Sequence, residues 1–302
     1  MRPSRAVSGA ARRLADAGVD AARAEAEQLA AYVLGVPRGR LALADGFDPD
    51  QLRRFDELVA RRADREPLQH LTGTAGFRHL ELAVGPGVFV PRPETELLAG
   101  WGVARGLEVV DRPLVVDLCS GSGAIALAVA QELPGARVVA VERSPEALRW
   151  LRRNATDRAA AGDRPVEVVV ADVTDPELLA DLAGRVDVLL CNPPYVPRSV
   201  VVPPEVAGHD PDEAVFGGAD GLAVIGPVVR RAAELLRPGG VLGIEHDDTH
   251  GTAVPELLAA DGRFTAVAEH HDLAGRPRFA TASRRPDGDR ADAGTAWQTG
   301  SS

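Results

Sequence analysis

The sequence predicts an α/β protein: a mostly parallel sheet of seven strands covered by helices on both faces, preceded by a small helical bundle and a short β-hairpin. Three observations predict it. From Leu114 onward, short apolar runs alternate with helical stretches, and that alternation builds a parallel sheet sandwiched by helices. Residues 1–72 carry only helical periodicity. The chain has 302 residues, 45% of them apolar and 26% charged, enough to bury full cores and to form about two domains of ~100–200 residues.

The bundle comes first. Val7, Ala11 and Leu14 share a face, as do Ala26, Leu29, Ala30 and Val33, and then Leu52, Phe55, Leu58 and Val59. "LGVPRGR" and "ADGFDPD" interrupt the pattern, and Asp48-Pro49-Asp50 is a helix start, because a proline in the first turn gives up no hydrogen bond. Residues 1–72 hold 12 Arg against 11 Asp and Glu, so the bundle is near neutral and the acidity lies further on. It suits a structural cap and a partner-docking module equally well. Residues 73–91, "GTAGFRHLELAVGPGVFVP", predict short strands joined by the Gly-Pro-Gly turn, a linking hairpin. A helix follows in "PRPETELLAGWGVARGL", with Pro93 near its first turn.

Strands are then predicted at 114–118, 136–142, 165–170, 186–191, 240–245, 263–268 and 277–282. Between them lie helices in "GAIALAVAQEL", "SPEALRWLRRNA" and "GLAVIGPVVRRAAELL", the last with Leu222, Ile225, Val229, Ala232 and Leu236 on one stripe. The tail from about Ser283 has no periodicity and is expected to be disordered. The expected plan is thus 1–72 bundle, 73–91 hairpin, 92–284 α/β domain and 285–302 tail.

Composition narrows the function. No apolar run approaches the ~18–20 residues of a membrane helix, and the N-terminal stretch lacks the apolar core of a signal peptide. Two cysteines, Cys119 and Cys191, give neither a disulfide framework nor metal-ligand spacing, so a cytoplasmic location is expected. The net charge of −10 argues against non-specific nucleic-acid binding, which needs a basic surface. All 34 basic residues are arginine, which is taken as coding bias. His246 and His250 have i, i+4 spacing at a strand-to-helix junction but no convincing third ligand, and no metal is expected.

Three strand ends carry the chemistry. In "LVVDLCSGSGAIALAVA" (114–130) a buried strand ends at Asp117, and Gly121 and Gly123 follow, letting a ligand approach the backbone. The spacing departs from the dinucleotide fingerprint, and an acid at the strand end suits a ligand with an ammonium group better than a pyrophosphate. Glu142 ends the next strand, 19 residues after Gly123, where a carboxylate can accept both ribose hydroxyls; the plainer alternative is a helix cap before Ser144-Pro145. Asp172, after the third strand, could accept from an adenine amino group or cap a turn. Asp, Glu and Asp at consecutive strand ends match the polar parts of S-adenosylmethionine in order. A fourth strand, in "VDVLLCNPPYVPRS" (186–199), runs into Asn192-Pro193-Pro194-Tyr195. The prolines cannot continue a sheet, so they make a stiff corner that presents Asn192 and Tyr195 at one place.

Together with "REPLQHLTGTAGF", "VFVPRPETELL" and "HDPDEAVFGGADGL", these stretches resemble the HemK/PrmC family of protein-(glutamine-N5) methyltransferases, which act on peptide chain release factors. The likeness runs from about Arg65 to Ser283. Asn-Pro-Pro-Tyr alone is shared with adenine-N6 methyltransferases; "PRPETE" upstream and "EAVFGGADGL" downstream are far more specific. The family usually has Gly where Cys119 stands and often Thr where Ser120 stands, and "LQHLTG" and "GIEHDDTH" are unusual versions of their segments. The resemblance implies a Rossmann-like class I methyltransferase using S-adenosylmethionine. It implies that Asn192 and the Pro193 carbonyl accept the two N–H bonds of the substrate amide and that Tyr195 packs over it, excluding water. It also implies that Arg92 and Thr95 line the cofactor and substrate cleft, that Cys119, Ser120 and Val173 border the cofactor, and that Phe89 and Pro194 touch substrate.

A carboxamide nitrogen is a poor nucleophile, and its orientation by two acceptors is what such a site must supply; well-oriented reactants gain ~7–11 kcal/mol. No strong base is needed beforehand, because the nitrogen becomes acidic as it is alkylated. The expected substrate is the glutamine of the Gly-Gly-Gln loop in release factors, with the helical domain gripping the factor and neither nucleic acid nor membrane as a direct partner. Three rivals stand beside it. A glutamine methyltransferase of a ribosomal protein would share the site. An adenine-N6 methyltransferase should show a basic face for a flipped base. A non-catalytic cofactor-binding protein would bind without transferring.

Overall fold

The computed structural model describes residues 1–286. Helices α1 (Pro3–Asp16), α2 (Ala22–Leu34), α3 (Pro49–Ala63) and α4 (Leu68–Thr72) form the bundle, with a 3₁₀ turn at Arg38–Leu43. Leu14, Leu29, Phe55 and Val59 bury their side chains at its centre. Asp48 caps α3 as the sequence suggests. Its carboxylate accepts the Asp50 and Gln51 N–H groups at 2.9 and 2.8 Å, and the Gln51 side chain accepts the Asp48 N–H at 3.0 Å.

The hairpin pairs β1 (Thr74–Phe77) with β2 (Leu80–Ala83), antiparallel. Its turn is not the expected Gly-Pro-Gly. Phe77 faces Leu80, so Arg78 and His79 make a two-residue turn, with Arg78 at φ 52°. Arg78 is held there by Glu96, which accepts its N–H at 3.0 Å, and by Glu132 at 2.6 Å. Gly85-Pro86-Gly87 follows the hairpin and docks on Trp150, whose indole N–H donates to the Pro86 carbonyl at 3.2 Å; a Cβ on Gly85 would meet that ring at 2.6 Å.

The α/β part runs α5 (Thr95–Leu107), β3 (Leu114–Leu118), α6 (Ala124–Glu132), β4 (Arg137–Glu142), α7 (Pro145–Ala160), β5 (Glu167–Val170), β6 (Val186–Cys191), α8 (Pro204–His209), α9 (Asp212–Val215), α10 (Ile225–Leu235), β7 (Leu236–Glu245), α11 (Ala253–Asp261), β8 (Phe264–His271) and β9 (Pro277–Arg284). All seven expected strands are present. Leu222 and Leu236 fall outside α10. Pro227 has no N–H and fits only a first turn, so the helix begins beside it, and Leu236 starts the next strand. The expected tail lies, from 287, outside the described residues.

The sheet order is β5-β4-β3-β6-β7-β9-β8; β3 to β7 are parallel and β9 is antiparallel to both neighbours. Strand side chains alternate between faces. Val115, Val188 and Leu190 pack under α5, α6 and α7, while Val116, Leu118, Leu189 and Cys191 pack under α10 and α11. Burial on both faces explains why these strands are continuous apolar runs. No helix among the described residues is long and apolar enough to cross a membrane.

Candidate active site

Strand order reverses at β3: its sequence successor β4 lies on one side and β6 on the other. Ligands bind beyond the carboxyl ends of the strands at such a point. A cavity of about 380 Å³ opens there, within the range of small-molecule sites.

The turn after β3 forms one wall. Cys119 sits in left-handed backbone at φ 59°, which explains physically why glycine is the ordinary residue there. A Cβ on Gly121 would meet nothing within 4 Å, so this backbone is open to close approach. Ser120 lines the cavity, its N–H donating to the Val141 carbonyl at 3.0 Å and its hydroxyl to the Asp117 carbonyl at 2.9 Å. Two residues expected at the cofactor do not reach the wall. Gly123 (φ 88°) is where α6 packs on α7; a Cβ there would lie 2.6 Å from Leu151 Cδ1. Asp117 turns back under the turn, 1% exposed, and its Oδ2 accepts the Ala126 N–H at 3.2 Å in the first turn of α6. Its Oδ1 has no partner among the described residues, and burial pushes its carboxyl up to about 7.

Glu142 reaches the cavity from the end of β4. Its Oε2 accepts the Gly121 N–H at 2.8 Å, and its Oε1 accepts those of Arg143 and Ser144 at 2.7 and 2.8 Å. The carboxylate thus pins the glycine turn to β4 and keeps acceptor capacity toward the cavity, since a carboxylate has about four lone-pair sites. Val173 and Asp172 line the next wall. Asp172 behaves as a turn aspartate: Oδ1 accepts the Thr174 N–H and hydroxyl at 2.8 and 2.7 Å, and Oδ2 accepts Arg143 at 2.9 Å.

The corner after β6 forms the opposite wall, with Asn192, Pro193, Pro194 and Tyr195 all lining it. The Asn192 Nδ2 donates to Thr95 Oγ1 at 3.1 Å. Thr95 therefore lines the cavity as expected, but its hydroxyl is engaged by Asn192. The "EAVFGGADGL" segment clamps the corner: Val196 donates to the Val215 carbonyl and Gly217 to the Val196 carbonyl, both at 3.0 Å. A Cβ on Gly217 would sit 2.5 Å from the Pro194 carbonyl oxygen, and one on Gly221 (φ 81°) 2.3 Å from that of Tyr195. Only glycine fits so close to another backbone.

Arg92 lies over the Phe89 ring at 4.7 Å and donates to Asp210 Oδ2 at 2.8 Å; both Arg92 and Phe89 line the cavity. Burial pushes the Asp210 carboxyl up to about 6 against the pull of Arg92.

Sequence reasoning missed Glu245. It ends β7, is 1% exposed, lines the cavity and accepts the Tyr195 hydroxyl at 3.0 Å through Oε1. Burial raises its carboxyl to about 7, against the hydrogen bond from Tyr195 and the charge of Arg278. The signal was an acid closing an apolar strand, "VLGIE", the same signal that marked Asp117 and Glu142. Burial and the adjacent carboxylate also push the Tyr195 phenol well up. His246 faces Glu269 at 2.9 Å and His250 the Asp220 carbonyl at 2.9 Å; no group of three possible metal ligands occurs among the described residues.

An open glycine turn, a carboxylate beside it and an uncompensated buried aspartate behind it fit a nucleoside that carries a cationic amino acid. With the seven-stranded fold, they define an S-adenosylmethionine-dependent methyltransferase of the Rossmann-like class. The PrmC N-terminal domain family matches residues 5–73, and the Methyltransferase small domain family matches residues 103–204. The release factor glutamine methyltransferase of Mycolicibacterium smegmatis is 54% identical over 92% of this chain and 96% of its own. The Mycobacterium tuberculosis H37Rv enzyme of the same name is 50% identical over 92% and 90%. A 4-amino-L-phenylalanine/4-methylamino-L-phenylalanine methyltransferase of Streptomyces pristinaespiralis is 40% identical over 87% and 89%. The chain belongs to the release factor glutamine methyltransferase family.

Proposed function

We propose that this chain transfers a methyl group from S-adenosylmethionine to the side-chain amide nitrogen (N5) of the glutamine in the Gly-Gly-Gln motif of peptide chain release factors, in the cytoplasm. The observation that carries the reading is the Asn192–Thr95 bond at the cavity wall. It commits the amide nitrogen of Asn192, leaving its oxygen as the free end. That oxygen and the Pro193 carbonyl serve as two acceptors for a primary amide, fixing the –NH2 plane and leaning electron density toward nitrogen. Two prolines hold both acceptors still, so orientation is built in before substrate arrives. Tyr195 packs over the amide and keeps water out; with its hydroxyl engaged by Glu245, it contributes its ring.

When bound, S-adenosylmethionine supplies an electrophilic methyl on a sulfonium sulfur. The residues that would hold it are the Cys119–Gly121 backbone, Glu142 for the ribose hydroxyls, and Val173 with Asp172 beside the base. Asp117 acts from behind the turn through its charge. Arg92 and Phe89 border the substrate entrance, and the helical domain grips the factor.

The test is to incubate the protein with labelled cofactor and a bacterial release factor, then weigh the loop peptide. One added methyl on the glutamine is expected. The Streptomyces pristinaespiralis relative favours a second reading, a free aromatic amine as acceptor. Label on 4-amino-L-phenylalanine and none on the factor would reverse the assignment.

A further inference from the structure

We propose that residues 199–214 are a lid over the cavity, held shut by arginine–carboxylate pairs at three points: the helical bundle, the linker before α5 and the end of β4. Ligands enter when those pairs part. The lid serves the cavity whichever acceptor is methylated there.

The segment leaves the β6 corner and returns to it at one place. Val196 donates to the Val215 carbonyl at 3.0 Å and Arg198 to the Gly218 carbonyl at 2.9 Å, so backbone bonds close its neck. A loop of this length with joined ends is a compact unit of its own. Val202, Pro203, Val206, Pro211, Glu213 and Ala214 line the cavity from it. Little else holds it down. Asp210 alone among its residues is buried, so no apolar side chain of the segment is committed to a core. Among the described residues, its backbone bonds only to itself and, at the neck, to Pro197, Val196 and Phe216. Few buried apolar contacts and no ladder mark a segment that opens at low cost. Pro203, Pro204 and Pro211 have fixed φ, so it moves as stiff pieces. The hydrogen bonds and ion pairs that reach beyond the neck, among the described residues, belong to three carboxylates. Glu205 accepts Arg62 at 2.9 Å and Arg65 at 2.8 Å, Asp210 accepts Arg92 at 2.8 Å, and Glu213 faces Arg143 at 3.7 Å. Each arginine keeps another partner when the lid lifts. Arg62 keeps Glu25, Arg65 keeps the Ala17 carbonyl at 3.1 Å, Arg143 keeps Asp172 at 2.9 Å, and Arg92 keeps the Phe89 ring at 4.7 Å. Opening therefore releases three carboxylates to water and strands no buried cation, which is where the large cost of breaking such pairs arises.

Cys119 lines the cavity and Cys191 is fully buried, so the chain carries its own reporter of opening. The test alkylates the cofactor-free protein with iodoacetamide, which is small, and with N-(1-pyrenyl)maleimide, which is bulky and likewise uncharged. Mass spectrometry of the Cys119 peptide gives both rates. The ratio of bulky to small cancels a change in thiol reactivity and reads access. Glu205→Gln, Asp210→Asn and Glu213→Gln keep the shape of each side chain and remove its charge. Each single should raise the ratio about two- to fivefold, the scale of one ion pair lost, and the triple variant about tenfold or more. Glu167→Gln is the control: it breaks the exposed pair with Arg137, away from the cavity, and should leave the ratio unchanged. An unchanged ratio in the triple variant overturns the lid, and so does an equal rise in the control. If the triple variant does not fold, the singles decide, and no rise in any of them refutes the lid. The readout needs no methyl transfer, so its failure leaves the assignment of the acceptor untouched.

Discussion

The two corners that face each other across the cavity are built on opposite principles. The β3 corner uses glycine to leave space: Gly121 has nothing near its missing side chain, and the turn is braced by Glu142 and Val141 from the next strand and by Asn154 on α7, which donates to the Ser122 carbonyl. The β6 corner uses proline to remove freedom, and two of its braces come from far along the chain, Thr95 on α5 and Glu245 on β7, beside the nearer glycine clamp around Gly217 and Gly221. A corner that admits a ligand can be local and open. A corner that must aim a side chain is over-determined from several elements at once.

The sharpest way to break this contrast is Asn192→Ala. Losing one preorganised contact to the reacting group should lower kcat by about 10²–10³, the loss seen when one oriented donor is removed from other active sites. Cofactor affinity, measured by calorimetry, should hardly change if the two corners divide the work. A large loss of cofactor binding with little loss of turnover would merge them.

Paired glycine substitutions sharpen the contrast next. Gly121→Ala and Gly221→Ala share the cost of left-handed backbone, roughly 1–2 kcal/mol. Only Gly221→Ala also drives a Cβ to 2.3 Å from a carbonyl oxygen. Denaturant unfolding should therefore show Gly221→Ala less stable than Gly121→Ala by a further ~1–3 kcal/mol, while Gly121→Ala is the one that weakens cofactor binding. Equal stabilities would mean the clamp is not packed as described.

The same division decides what could be read from the sequence. The β3 corner is legible because its partners are neighbours in the chain: an apolar strand, a glycine turn and an acid at the next strand end. The central strands β3, β4 and β6 are legible because burial on both faces writes them as apolar runs. The hairpin turn is not, because Arg78 and His79 have no turn signature of their own and are placed by Glu96 and Glu132. At the β6 corner the sequence names Asn192 and Tyr195 but not what they bond. Thr95 is 97 residues from Asn192 and Glu245 is 50 from Tyr195, and no local pattern encodes such pairings. The spacing puts Gly123 and Asp117 near the turn but does not say which side of it they face: Gly123 packs on Leu151 and Asp117 turns back under α6.

A smaller effect follows from the buried acids. Asp117 and Glu245 are both raised to about 7 by burial. Unfolded, they ionise near 4, so between 4 and 7 the unfolded chain binds fewer protons than the folded one, and stability falls as pH rises. For Asp117 alone the loss between pH 6 and 8 should be about 1–2 kcal/mol, read as a melting temperature lower by a few degrees. Asp117→Asn should flatten the dependence. A cofactor-free protein that grows more stable over that range would mean these carboxyls are ionised and paired.

The smallest effect concerns the hold of the helical bundle on the β6 corner. Glu205, on α8, accepts Arg62 at 2.9 Å and Arg65 at 2.8 Å, and Arg62 is only 5% exposed and also paired with Glu25. The chain just before and along α8 lines the cavity through Val202, Pro203 and Val206. The bundle is thereby tied to the wall that follows the proline corner, and among the described residues no ion pair ties it to the glycine turn. Glu205→Gln keeps the shape and removes the charge. Arg62 retains Glu25, so the loss should be modest, about 0.5–1 kcal/mol, in the range of partly exposed ion pairs. It should appear as a KM for the release factor raised about two- to fivefold, with cofactor affinity unchanged. If cofactor affinity falls instead, the tie serves the cavity as a whole, and the separation of the two corners does not extend to the domain proposed to grip the substrate.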